Sequence, residues 1–228
     1  MFLNFIEKVQ NTADCFSFFF DSTETVTFKA GQHMNFTLPH DNPDDRGINR
    51  YFTIASAPNE GLIMITTRMA QEHPSTFKNA LMNMERSREI TALPPQGKFI
   101  IEDYSKSYVF FAGGIGITPF RSILVDLDYN EKIKEMKILL LYTNRSNDIV
   151  FKDELDLLAS RNASFKVRYV ISPEVYNVEM LKAIIPNYLD KAYYISGPPG
   201  MVKSIGESLA AENIAGSQIK RDFFPGYL

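Results

Sequence analysis

Residues 110–124 read FFAGGIGITPFRSIL: an apolar run, three closely spaced glycines, then Thr118–Pro119 and a segment with helical spacing. Phe120, Ile123, Leu124 and Leu127 recur at the intervals of one helix face. Pro119 suits a first helical position, and the Thr118 hydroxyl suits a cap. A strand that turns through glycines into a helix gathers backbone N–H groups and the positive end of the helix dipole, which together suit a pyrophosphate. The spacing G-G-x-G-x-x-P is not the G-x-G-x-x-G dinucleotide fingerprint, so taken alone it also fits a plain glycine-rich turn. A second junction of the same kind favours a ligand. YYISGPPGMV, residues 193–202, again runs from an apolar strand through Gly197-Pro198-Pro199-Gly200 towards a helix. In a doubly wound sheet both loops lie outside the carboxyl ends of the strands, where ligands bind.

Working outward, strand-like runs at 108–112, 137–143, 165–171 and 192–196 alternate with helical ones near 118–129, 149–160, 178–184 and 200–212. That alternation predicts a parallel sheet covered by helices on both faces. Upstream the texture differs. Aromatic and β-branched runs at 16–20, 25–30, 33–38, 50–56 and 62–69 are separated by turn clusters such as PHDNPDDRG and APNEG. These predict a small antiparallel β-barrel. One helix interrupts it over 74–84, with Ser75 or Thr76 as its cap. The expected fold is therefore two domains: a barrel over residues 1–103 and a doubly wound α/β domain over 104–228.

Composition excludes several function classes. A net charge of −3 with no Lys/Arg block gives nucleic acid little to bind. The N-terminal apolar patches are interrupted by Asn4, Glu7, Lys8 and Asp14 well short of a spanning length, so a cytoplasmic protein without a transmembrane segment is expected. The single cysteine, Cys15, rules out an internal disulfide and a four-cysteine iron–sulfur centre; it reads as a buried filler. His33, His40 and His73 match no metal spacing, and Asp44–Asp45 reads as a solvated pair in a turn.

With RYFTIAS (50–56), FAGGIGITPF (111–120), SGPPGM (196–201) and RDFFPGYL (221–228) in this order, the chain resembles the ferredoxin–NADP reductase-like flavoproteins over nearly its whole length. The resemblance implies that the barrel binds FAD, that the α/β domain binds NAD(P)H, and that electrons pass through the flavin to an acceptor. The family's R-x-Y-[ST] motif falls on Arg50, Tyr51, Phe52 and Thr53. Arg50 would grip the flavin pyrophosphate, Phe52 would pack on the isoalloxazine, and Thr53 would bring its hydroxyl near N5. HPSTFKNAL matches the second flavin-phosphate segment without its usual glycine, making Ser75 and Thr76 phosphate ligands. Gly113, Gly114, Gly116, Thr118 and Pro119 would face the NAD(P)H pyrophosphate and ribose, while Gly197, Pro198 and Met201 would border the nicotinamide.

In two places the chain departs from the family pattern. Ser196 stands where a cysteine is common, and Asp222 where a glutamate is common; two residues on, Phe224 takes the position of the ring that covers the flavin. Thr53, Ser196, Asp222 and Phe224 are thus the expected catalytic set, with Phe224 moving aside before nicotinamide stacks. The strand at 137–143 runs into Asn144–Arg145 without an acidic residue, so Arg145, with Lys152, is expected to meet a 2′-phosphate and favour NADPH. The chain holds no second redox centre, so the acceptor is expected to be separate: a ferredoxin, a flavodoxin, a monooxygenase component or a small oxidant. A reductase of free flavin or ferric complexes is the alternative among enzymes. A non-catalytic electron-transfer protein is the alternative outside them.

Overall fold

The computed structural model describes residues 1–69, 75–174, 176, 178–185 and 187–223. Its first half holds six antiparallel strands: β1 (Phe2–Gln10), β2 (Cys15–Asp21), β3 (His33–Thr37), β4 (Asn49–Thr53), β5 (Ile63–Arg68) and β6 (Glu89–Ala92). They form one sheet in the order β4-β3-β6-β1-β2-β5. Helix α1 (Thr76–Met82) lies against it. Leu3, Phe5, Phe18, Phe20, Phe36 and Phe77 make its interior. The sheet is barrel-like without being a closed ring, and past β4 the Ala55 N–H reaches the Met64 carbonyl of β5 at 2.7 Å.

The strands depart from the expected ones at four places, of which β6 and β11 are strands outside the expected runs. The run at 25–30 is not a strand, although Val26 and Phe28 are partly buried against the barrel core. Its apolar alternation reflects side-chain burial without a ladder partner, and the run ends in a turn in which Gln32 N–H meets the Lys29 carbonyl at 3.1 Å. Conversely, β1 turns Leu3 and Phe5 inward at 0% and 4% exposure while its polar residues face out, a period-two pattern that the charged residues disguise.

The second half is a five-stranded parallel sheet of β7 (Ser107–Gly113), β8 (Lys137–Asn144), β9 (Phe165–Ile171), β10 (Ala192–Gly197) and β11 (Ile219–Phe223), in the order β11-β10-β7-β8-β9. Between them run α2 (Thr118–Tyr129), α3 (Lys152–Arg161), α4 (Val178–Ile184) and α5 (Pro199–Ala211). Successive residues of β7 serve opposite faces: Tyr108 and Phe110 pack with α2 and α3, Val109 and Phe111 with α4 and α5. Phe110 stacks on Phe120 of α2 at 4.8 Å between ring centres.

The halves are joined through this same core. Cys15, Ala30 and Phe99 are buried in the cluster that α2 and α3 share with the parallel sheet. Polar bonds reinforce the junction: the Ser122 hydroxyl donates to the Ser56 carbonyl at 2.6 Å, and Arg121 donates to the Ala55 carbonyl at 3.0 Å.

Candidate functional site

The strand order reverses at β7, with β8 and β9 on one side and β10 and β11 on the other. The carboxyl ends of β7 and β10 therefore flank the switch point at which open α/β sheets bind ligands. Both glycine-rich loops lie there. They are packed against each other: a Cβ on Gly116 would stand 2.3 Å from the Ser196 carbonyl oxygen, and one on Gly113 would stand 2.4 Å from the Met201 sulfur. At Gly116, where the facing atoms are backbone, only glycine permits that approach. Pro198, at the head of α5, and Gly197 adjoin the same contact.

Gly114 is different. Its φ is +51°, and the nearest group to a Cβ placed there is the Arg68 guanidinium at 3.7 Å. Arg68 comes from the end of β5 and pairs with Asp14 at 3.0 Å. Nothing in its local sequence marks it, because the opposite half of the chain delivers it to the loop.

Thr118 does not take the capping place expected of it, whereas Pro119 does lie in the first turn of α2. A short 3₁₀ turn, Gly114–Ile117, precedes α2, and Thr118 already lies inside the helix at 2% exposure. Its hydroxyl donates to the Ile115 carbonyl at 3.1 Å, so it closes the turn instead of capping the helix or facing outward. Pro119 is also buried.

On β10 and β11, Ser196 and Asp222 are register partners. Ser196 is fully buried, and its hydroxyl has no hydrogen-bond partner among the described residues. A buried unpaired hydroxyl beside a ligand crevice fits a polar ligand edge that would complete it. Burial pushes the Asp222 carboxyl up to about 6. An acid whose folded value lies above its unfolded one favours the fold below pH 4 and loses that contribution as pH rises through 6. The loss amounts to about 3 kcal/mol at most. Asp222→Asn is therefore expected to flatten the stability profile between pH 4 and 7, as measured by urea unfolding, and to exceed wild type at neutral pH. Parallel profiles for the two proteins would contradict this assignment.

A second cluster gathers Arg50, Ser75 and Thr76. The Arg50 guanidinium, 14% exposed, donates to Asp44 at 2.7 Å and to the Ser75 hydroxyl at 3.4 Å. Thr76 Oγ1 accepts from the Asp44 N–H at 2.9 Å and lies 3.0 Å from His40 Nε2. Ser75 occupies the N-cap position of α1 without a side-chain capping bond. Asp44 is thus not the solvated turn residue expected: it pairs with Arg46 at 3.1 Å as well as with Arg50. Against desolvation, which would raise it, hydrogen bonds from Arg46 and Arg50 hold its carboxyl well below the usual carboxylate range. A carboxylate seated on Arg50 demonstrates that the donor set suits an oxyanion.

The rings of β4 divide between its faces. Phe52 is 9% exposed and packs on Phe36 and Phe77 at 5.9 and 5.8 Å, whereas Tyr51 is 60% exposed and meets His33 edge-on at 5.7 Å. Of the two, Tyr51 offers the open ring. Thr53 is buried at the end of the strand. Arg145 is exposed just past β8, while Lys152 is held by Asp156 at 2.5 Å and lies over the Tyr169 ring. Phe224 and His73 lie outside the described residues. Among the described residues no cluster of three or more His, Cys, Asp or Glu could hold a metal ion.

Comparison with known proteins points the same way. The family model for the oxidoreductase NAD-binding domain matches residues 110–207. The stachydrine N-demethylase reductase component Stc4 of Rhizobium meliloti is 24% identical, over 99% of this chain and 67% of that protein. One component of the Na(+)-translocating NADH-quinone reductase of Actinobacillus pleuropneumoniae is 28% identical over 71% of this chain, and the match spans about half of that protein, 47%. Among solved structures, a ferredoxin NADP+ reductase from Neisseria gonorrhoeae with bound FAD and NADP superposes with a TM-score of 0.81 at 19% identity, covering 98% of each chain. The flavohem-like FAD/NAD-binding domain of nitric oxide dioxygenase from Vibrio cholerae gives 0.82 at 20% identity, again over 98% of each. At these identities the structural likeness shows the fold.

Proposed function

We propose, from a chain that belongs to the ferredoxin–NADP reductase-like oxidoreductases, that it takes electrons from NAD(P)H and passes them through FAD to a separate acceptor. The observation that carries this reading is the pair of glycine loops packed together at the β7/β10 switch point, beside an unpaired buried hydroxyl. When bound, FAD supplies the exchange between a hydride donor and the acceptor. The chain's own residues hold and align. Arg50, with the Ser75 and Thr76 hydroxyls, would bind the flavin pyrophosphate; Tyr51 would offer its open ring to the flavin and Thr53 would border it, with Phe52 supporting the strand from the barrel core. Gly113, Gly114 and Gly116 would admit the coenzyme pyrophosphate, with Gly197, Pro198 and Met201 beside the nicotinamide. Ser196 would give its hydroxyl a partner in the bound coenzyme, and Asp222, its carboxyl pushed up to about 6 by burial, would take up a proton beside it as pH falls through 6.

The division into domains at residue 103, the flavin-covering role of Phe224 and the meeting of Arg145 with a 2′-phosphate belong to the same reading. The acceptor is of the kind that the name of the Rhizobium meliloti relative suggests, a partner demethylase or other electron-consuming component. No helix among the described residues is long and apolar enough to cross a membrane.

The test is flavin extraction from the purified protein, followed by anaerobic titration with NADPH and NADH. Bound FAD that bleaches on titration, with NADPH the tighter donor, is the expected result. A protein that neither carries nor takes up FAD overturns the reading. A reductase of free flavin is a second reading, favoured by one observation: the Asp44 carboxylate already sits on Arg50.

A further inference from the structure

Resting on the FAD reading above, we infer that Asp44 is an internal competing anion that sets how strongly this chain prefers phosphate-bearing flavins over riboflavin. The Arg50 guanidinium is occupied on two sides. Nη1 donates to the carbonyls of Arg46, Gly47 and Asn49 at 2.9, 2.9 and 2.7 Å, which fixes the side chain in place. Nη2 points the other way and donates to Asp44 Oδ1 at 2.7 Å. The second Asp44 oxygen accepts from Arg46 Nη2 at 3.1 Å and from the Thr76 backbone N–H at 3.3 Å. The Arg46 backbone N–H also reaches Oδ1, at 3.1 Å. One carboxylate therefore takes up two guanidinium groups and two amides, the donors a phosphate oxygen would use.

Carboxylate and phosphate cannot both have them. A flavin that carries phosphate must displace Asp44 from Arg50, whereas riboflavin has nothing to place there. The loop is built so that this displacement needs only rotation of the Asp44 side chain. The Asp44 backbone is held independently, its N–H by Thr76 Oγ1 at 2.9 Å and its carbonyl by the Gly47 N–H at 2.8 Å. Affinity for FAD is then lowered by the fraction of molecules in which the carboxylate still occupies the site, and affinity for riboflavin is not.

The experiment is a fluorescence-quenching titration of the whole chain, freed of flavin, with FAD and separately with riboflavin. Wild type, Asp44→Asn and Asp44→Ala are compared, the second variant serving in case asparagine keeps the loop's bonds. We expect FAD to bind the variants about ten- to a hundredfold more tightly, the span of one charge-assisted hydrogen bond. Riboflavin affinity should be unchanged. Unchanged or weaker FAD binding in both variants would overturn the inference, since Asp44 would then only position Arg50. Equal tightening for both flavins would overturn it too, because a loosened loop and not a displaced charge would be responsible. If none of the three proteins binds FAD, the FAD reading fails and the inference with it. If FAD binds, and binds through Arg50, while Asp44 has no effect, only the inference fails.

Discussion

Arg121→Met is expected to lower the free energy of unfolding by about 3–5 kcal/mol, the largest effect expected of any single substitution in the site or the seam. Arg121 is 8% exposed, and its guanidinium reaches Glu60 with Nη1 at 2.5 Å and Nη2 at 2.9 Å. Glu154 receives Nε at 3.0 Å and Nη2 at 2.8 Å, and the Ala55 carbonyl takes a further bond at 3.0 Å. Removing the cation leaves two partly buried carboxylates without their shared counter-charge, Glu60 keeping the Ala57 N–H at 2.6 Å, and one carbonyl without its donor. The penalty comes from that residue of unpaired charge, not from the worth of the ion pair itself. Because Glu60 follows β4 and Arg121 lies on α2, the damage falls on the seam between the halves. Urea unfolding at neutral pH measures it. Adding Glu60→Gln and Glu154→Gln to Arg121→Met should recover most of the loss; a single variant that loses less than about 1 kcal/mol would show that the site relaxes or hydrates.

Arg50→Ala comes next, with FAD binding weakened by about 2–4 kcal/mol, or roughly thirty- to a thousandfold. Lysine at this position should restore only part of the affinity. A guanidinium fork presents parallel donors that an ammonium cannot reproduce, and the fork here is preset by three backbone carbonyls. Alanine also strips those carbonyls of a donor, so a thermal melt has to accompany the binding isotherm. Riboflavin separates the two causes: a lost phosphate contact spares it, and a collapsed loop does not. FAD affinity equal to wild type in a folded Arg50→Ala protein would remove Arg50 from the flavin site.

The parallel half was the easier half to read. Its strands are buried on both faces, so runs such as YVFFA and KILLLYT stand out from the polar helices between them, and β7, β8 and β9 lie where the sequence puts them. The antiparallel half has one wet face, and there apolar alternation misled in both directions, hiding β1 and suggesting a strand at 25–30. The edge strand β11 was hidden by Lys220, Arg221 and Asp222, and its partner is known only from the register with β10.

The glycine loops were visible because close backbone approach admits few other residues. Asp44 and Arg121 were not visible. An aspartate among prolines and asparagines reports turn conformation and says nothing of a guanidinium brought from β4. An arginine between Phe120 and Ser122 looks like any helix cation until α3 and the turn after β4 deliver their carboxylates. Within β4, the resemblance chose Phe52 as the flavin-facing ring, whereas the pleat turns Phe52 into the barrel core and leaves Tyr51 outside.

Cys15, the chain's only thiol, is fully buried where the two halves meet, and burial pushes its pKa up. Thiolate is the form that attacks disulfides and peroxides, so this sulfur is both sheltered and chemically quiet. A catalyst that handles reducing equivalents is exposed to oxygen-derived by-products and to neighbouring disulfides. With its one sulfhydryl buried at the seam, this chain offers them no accessible thiolate while it stays closed.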